Sequence, residues 1–216
     1  LGDVYKRQVL IMSLVVALSS MAFVALRRMV ESQFHQRLHS HWARHLTGAL
    51  LTALVAFVVV ALTAGRGLAS RGEALHLVLS TGGVTIDRAL AGELTLTVAL
   101  VALLGKMAAT ATTIGSGGSG GLLIPSLYLG AMVAAAFGAV VPFPAMTLIV
   151  PAMTVSLVSI ANVPLAAMLL PVELFSAHYL PPALMAVIVG TLLTQGTPVY
   201  RPQREGFDNR QIAPGV

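Results

Sequence analysis

The sequence predicts an all-α integral membrane protein built as a bundle of short, tilted and broken helices. Three observations predict it. Of 216 residues, 56% are hydrophobic and 10% charged, and the mean hydropathy is +0.87; a soluble domain carries about 25% charged residues. No charged side chain falls between Lys106 and Glu173. Inside that run stands a glycine-rich loop, Gly115-Ser-Gly-Gly-Ser-Gly-Gly121, followed at once by Leu122-Leu-Ile-Pro125. Irregular backbone survives at membrane depth only inside protein or beside a polar cavity.

The elements follow in order. Residues 1–8 have no initiator Met and do not fit a signal peptide. They are expected to be a non-native leader, with the native chain truncated at its N-terminus. Val9 to Leu26 is uncharged and long enough to cross a bilayer, which takes about 20 residues. Arg27 and Arg28 end it, and a polar connector with Trp42 at headgroup depth runs to Arg44. His35/His39 and His41/His45 have the i,i+4 spacing of helical metal ligands, but no carboxylate or thiol cluster joins them. An interfacial connector is the better reading, and no metal or other cofactor is expected.

Leu46 to Ala64 is a second crossing. Glu73 to Thr81 reads as one short helix, shallow or half-inserted, and Gly82 to Arg88 as a loop. Leu94 opens a third apolar helix that passes Lys106 and reaches about Ile114. A charge inside such a helix is a functional candidate by default; a supporting electrostatic role is expected for Lys106. Leu122 to Val141 reads as a small-faced helix suited to close packing. Ala145 to Ile160 follows, dented by Pro151. Pro164, after Asn162, opens a helix to Glu173, and Pro181-Pro182 opens the last, ending near Thr194. From Arg201 the tail is charged and carries proline.

The glycine loop is the centre of the functional reading. A loop that interrupts a membrane helix and starts another leaves free N–H groups at the new N-terminus. With the positive end of the helix dipole they form an anion site without any charged side chain. Broken helices near mid-membrane are where transporters hold small ions. Three other readings compete. The segment is not flanked by polar sequence, as a flexible linker would be. It lacks the Lys-Ser/Thr of a phosphate loop. Gly117-Gly118-Ser119-Gly120-Gly121 also fits the serine hydrolase pattern G-x-S-x-G. That alternative makes Ser119 a nucleophile and His178 its base, as in a rhomboid-like intramembrane protease, yet His178 lacks the flanking glycines such a histidine helix uses. A different ion transporter family remains a further alternative. With no cysteine, disulfides, thiolate metal sites and cysteine nucleophiles are excluded. The basic excess, 13 Lys and Arg against 8 Asp and Glu, lies in short connectors and the tail. It suits lipid headgroups, and there is no aromatic-interleaved basic stripe for nucleic acid.

Gly115 to Gly138, GSGGSGGLLIPSLYLGAMVAAAFG, closely resembles the voltage-gated chloride channel (CLC) family. The likeness continues through Ile160-Ala-Asn-Val-Pro-Leu165, Leu170-Pro-Val-Glu173 and Pro198-Val-Tyr200, in the family's order and spacing. The resemblance implies a CLC-like fold of which this chain is the second inverted repeat, with residues 9–200 as that half of the membrane domain and 201–216 as a polar tail. It implies a homodimer in a cell membrane or bacterial inner membrane that transports chloride as a channel or a proton-coupled exchanger. It places chloride on the amides of Leu122 and Leu123 and the hydroxyl of Tyr200. Gly117, Gly118, Ser119, Gly120, Gly121 and Pro125 form the supporting loop. The first and last two helices supply the dimer contacts. Leu123 stands where the family usually has Phe, Asn162 where many members have Arg, and Pro171 where an aliphatic is expected. No counterpart of the family's first half, with its serine and gating glutamate, is present. The chain alone is therefore expected to conduct nothing, with the missing half as its partner.

Overall fold

The structure is a computed structural model that describes residues 2–141 and 144–194. Among them nine α-helices follow one another, and no strand occurs. They are α1 (Asp3–Arg37), α2 (His41–Thr63), α3 (Arg71–Leu79), α4 (Gly83–Leu90), α5 (Leu96–Gly115), α6 (Leu123–Gly138), α7 (Ala145–Ala161), α8 (Pro164–Leu174) and α9 (Leu180–Thr194). Short 3-10 turns at Ala64–Arg66 and Ala177–Tyr179 follow α2 and precede α9. Four helical stretches are long and apolar enough to cross a membrane: Tyr5–Arg37, His41–Arg66, Leu96–Gly115 and Ala177–Thr194. α6, α7 and α8 are apolar but shorter.

The core forms where α1 crosses α5, α6, α7 and α9. Every residue of α7 from Leu148 to Ile160 is buried. A helix apolar all round belongs inside a bundle. α6 packs on α7 at Gly130, where a Cβ would lie 2.4 Å from the Ala152 carbonyl oxygen. Only hydrogen fits, so the two backbones touch there. α2 takes the opposite role: Leu46, Leu50, Leu54 and Phe57 are all exposed, as a lipid-facing surface requires.

Several boundaries differ from the sequence reading. Arg27 and Arg28 do not end α1, which runs on to Arg37. Arg27 pairs with Glu31 at 3.0 Å in an i,i+4 bridge, and Gln36 donates to Ser32, so the polar segment pays its own way as helix. The supposed loop at Gly82–Arg88 is largely α4. Arg88 lies 3.6 Å from both Glu73 and Glu93, which ties α4 back to the start of α3.

At the other end, α1 begins at Asp3, inside the segment read as a leader. Tyr5 is buried there and donates to the Thr147 carbonyl at 3.1 Å. That carbonyl is four residues before Pro151, whose ring nitrogen has no hydrogen to give it. Tyr5 thus satisfies the acceptor that the proline orphans. Asn162 ends α7 in the left-handed conformation, φ 55°, and Pro164 starts α8 at its first turn.

Candidate functional site

The site is built on how α5 stops and α6 starts. Gly117 takes φ 93°, open to glycine at no steric cost. Its N–H bonds the Ile114 carbonyl and that of Gly118 bonds Thr113, each at 3.0 Å. These two bonds are a Schellman motif that satisfies the last carbonyls of α5. Gly118 fits close against Thr113, where a Cβ would stand 2.7 Å from the carbonyl oxygen. Beyond it, Ser119, Gly120 and Gly121 are exposed, and the Cβ position at Gly121 is open space.

α6 starts without a side-chain cap. Leu122 is its N-cap residue and Leu123 its first helical residue. The first four amides of a helix have no partner within it. Here Pro125 fills the fourth position and has no N–H, so the donors are Leu122, Leu123 and Ile124. Ser126 turns inward instead: its hydroxyl donates to the Leu123 carbonyl at 2.6 Å, and its N–H to that of Leu122. Leu122 is buried and Leu123 half exposed, so the donors sit at the edge of the packed bundle. The arrangement offers neutral donors and the positive end of a dipole to an anion.

Three surrounding residues support the loop. His45 of α2 packs on Gly117, its Cε1 3.2 Å from the place a Cβ would take. Thr52 of α2 lies within hydrogen-bond reach of the hydroxyls of Thr112 (2.9 Å) and Thr113 (3.1 Å), one turn before the loop. Lys106 on α5 donates to the carbonyls of Val78 and Ser80 at the end of α3. It also lines a small cavity with Pro125 and Leu129 of α6. The charge inside an apolar run was the signal for Lys106. Nothing in the sequence marks Thr52, since a threonine in a membrane helix is ordinary.

The structure does not bring the other sequence-derived sites together. Tyr179, next to His178, lines a cavity with Gly138 and Ala139 at the far end of α6, while Ser119 precedes that helix. A helix of 16 residues is about 24 Å long. The His178 ring instead meets Tyr179 edge-on at 5.7 Å. His41 accepts from Arg44, and His35 lies 2.8 Å from the Glu31 carbonyl. Among the described residues no group of three or more His, Cys, Asp or Glu could hold a metal ion. Tyr200 lies outside the described residues.

An uncapped helix start behind a glycine loop fits many ion-binding proteins; the family is decided by comparison. The family described as voltage gated chloride channel matches residues 8–195. The chain belongs to that family. The voltage-gated chloride channel fold accounts for the all-α architecture, and with the four candidate spans it makes the chain a multi-pass integral membrane protein. The chain is 25% identical over 179 residues to an uncharacterized protein of Methanocaldococcus jannaschii, covering 83% of this chain and 41% of that relative. It is 33% identical over 103 residues to a chloride/fluoride channel protein of Pseudomonas syringae pv. tomato, covering 48% of this chain and 23% of the relative. The chain thus spans less than half the length of either. No solved structure matches it.

Proposed function

We propose that the chain forms part of an anion pathway in which a chloride ion rests on the backbone N–H groups of Leu122 and Leu123. The observation that carries this reading is the uncapped start of α6, opened by a glycine loop in a stretch without charge. Membership of the voltage-gated chloride channel family and the likeness to a chloride/fluoride channel protein support it. Neutral donors suit conduction, since they replace water yet release the ion. Gly117, Gly118, Ser119, Gly120, Gly121 and Pro125 shape the loop, and Tyr200 adds a hydroxyl. The α6 donors reach an ion from one side. The remaining donors come from segments beyond the described residues. The protein acts as a transporter and not as a Ser119/His178 protease.

Replacing the Leu123 amide by an ester tests the assignment. The ester keeps the side chain and deletes the N–H. A hydrogen bond to a charged group is worth about 1.5–3 kcal/mol, so chloride binding should weaken about ten- to a hundredfold. Calorimetric titration of a full-length version with chloride, in which the remaining donors are present, reads the change. Unaltered affinity would move the ion away from α6. Leu123→Pro removes the same N–H at a position where proline suits the helix. It also strains Leu122, at φ −89° and ψ −10°, a conformation disfavoured before proline. The ester is therefore the cleaner probe.

A further inference from the structure

A groove of about 390 Å³ runs between the end of α1 and the start of α2, with Thr112 of α5 also lining it. Met29, Phe34, Leu38 and Leu51 make its apolar wall, and Gln33 and Arg37 line it as well. We infer that this groove binds one anionic phospholipid from the surrounding bilayer, its acyl chain against the apolar wall and its phosphate on Arg37.

Three observations select that occupant. First, depth: the polar turn from Leu38 to Ser40 joins α1 to α2, and Trp42 beside it is 86% exposed. An exposed tryptophan at the end of a membrane helix marks the headgroup layer. The groove extends from Arg37 and Leu38 at that turn to Met29 and Leu51 further along α1 and α2. Second, charge: residues 27–45 hold four arginines, Arg27, Arg28, Arg37 and Arg44, against one glutamate, Glu31. Glu31 is held by Arg27, while Arg37 is exposed and has no partner among the described residues. Third, lining: an apolar wall with Arg37 at one end matches an acyl chain with a phosphate head. Basic pockets between membrane helices hold such headgroups. A free anion would have no use for the apolar wall, and a neutral lipid none for Arg37.

The test is native mass spectrometry of the chain released from mixed micelles of phosphatidylglycerol and phosphatidylcholine with the same acyl chains. The chain should retain phosphatidylglycerol in preference, as a single bound molecule. Arg37→Gln should cut that preference about fivefold, the effect of one basic residue near the membrane surface. Arg44→Gln should leave it unchanged, because Arg44 is outside the groove and donates to His41. Leu51→Trp, which fills the groove from the α2 side, should remove the bound lipid, and Thr47→Trp should do the same from the same wall. Helical circular dichroism on heating confirms that each variant is folded. Equal retention of the two lipids would overturn the proposal. So would an equal loss from Arg37→Gln and Arg44→Gln, which would mean diffuse attraction. Persistence of the lipid in both groove-filling variants, or its displacement by inorganic phosphate alone, would also overturn it.

Discussion

The ammonium of Lys106 lies 5.5 Å from the centroid of the Tyr128 ring, and the two side chains close the same helix end. Lys106 donates to the carbonyls of Val78, at 2.9 Å, and Ser80. Tyr128 donates to that of Leu77 at 2.9 Å. The last carbonyls of α3 thus find partners on α5 and α6, where water is scarce. The cation also meets the negative end of the α3 dipole and the face of an aromatic ring. α3 is thus pinned to the helices that carry the proposed anion site.

Lys106→Met should destabilise the protein by about 2–3 kcal/mol, since it strips buried carbonyls of a charged donor. Tyr128→Phe should cost about 1–2 kcal/mol, since the hydroxyl bonds both the Leu77 carbonyl and Thr85. Because the two share one helix end, the double variant should deviate from additivity by about 0.5 kcal/mol or more. Thermal unfolding in detergent micelles reads all three. Simple additivity would show that the two donors act independently.

Gly130→Ala should loosen the α6–α7 contact, because the added carbon would stand 2.4 Å from the Ala152 oxygen. Overpacking of this kind costs about 1–3 kcal/mol. Gly130→Leu should not assemble at all. Size-exclusion profiles and melting temperatures separate the two outcomes. A native melting temperature for Gly130→Ala would mean that the helices part freely.

The Glu73 carboxyl is held below the ordinary glutamate range, first by the N–H of Ser70, then by the Ser70 hydroxyl, with a smaller help from Arg88. A depressed pKa in the folded state contributes stability above the unfolded value and loses it as pH falls through the folded one. The melting difference between the native chain and Glu73→Gln should therefore be present at neutral pH and vanish in acid. A difference that grows on acidification would reverse the sign and refute the assignment.

How much of this was legible in the sequence divides along physical lines. Uncharged length and proline placement fixed where α2, α5, α7 and α8 run, because lipid tolerates few alternatives. The glycine loop and the start of α6 were legible for the same reason. The extent of α1 was not: Arg27 and Glu31 look like a break in hydropathy, and only their pairing turns them into helix. Tyr5 was invisible because its partner, the carbonyl freed by Pro151, is 142 residues away. The fit of His45 on Gly117 is another long-range contact that local pattern cannot carry.

Tyr200→Phe should weaken chloride binding while leaving the melting temperature unchanged, since only a hydroxyl is removed. A titration of the full-length protein with chloride checks it. Equal affinity would reassign Tyr200 as an anchor at the membrane surface.

The α9 side chains Ile188 and Leu192 are 59% and 66% exposed, and the family resemblance implies dimer contacts from this helix. Cysteines at these two positions should crosslink into a dimer under mild oxidation. Monomer at both positions would leave that face to lipid.

The hydroxyl of Ser20 in α1 donates to that of Ser156 in α7 at 3.3 Å, and both are buried. The two are separated by 136 residues. At translation rates of about 5–20 residues per second, the first serine waits roughly 7–27 s for the second. During that time α1 is already made, but the helices meant to surround it are not. Until α7 is synthesised, the Ser20 hydroxyl can turn to a carbonyl one turn back in its own helix, as that of Ser19 does to Val15. The seam between α1 and α7 therefore closes only after the later half of the chain is made, and the serine pair belongs to the last stage of assembly.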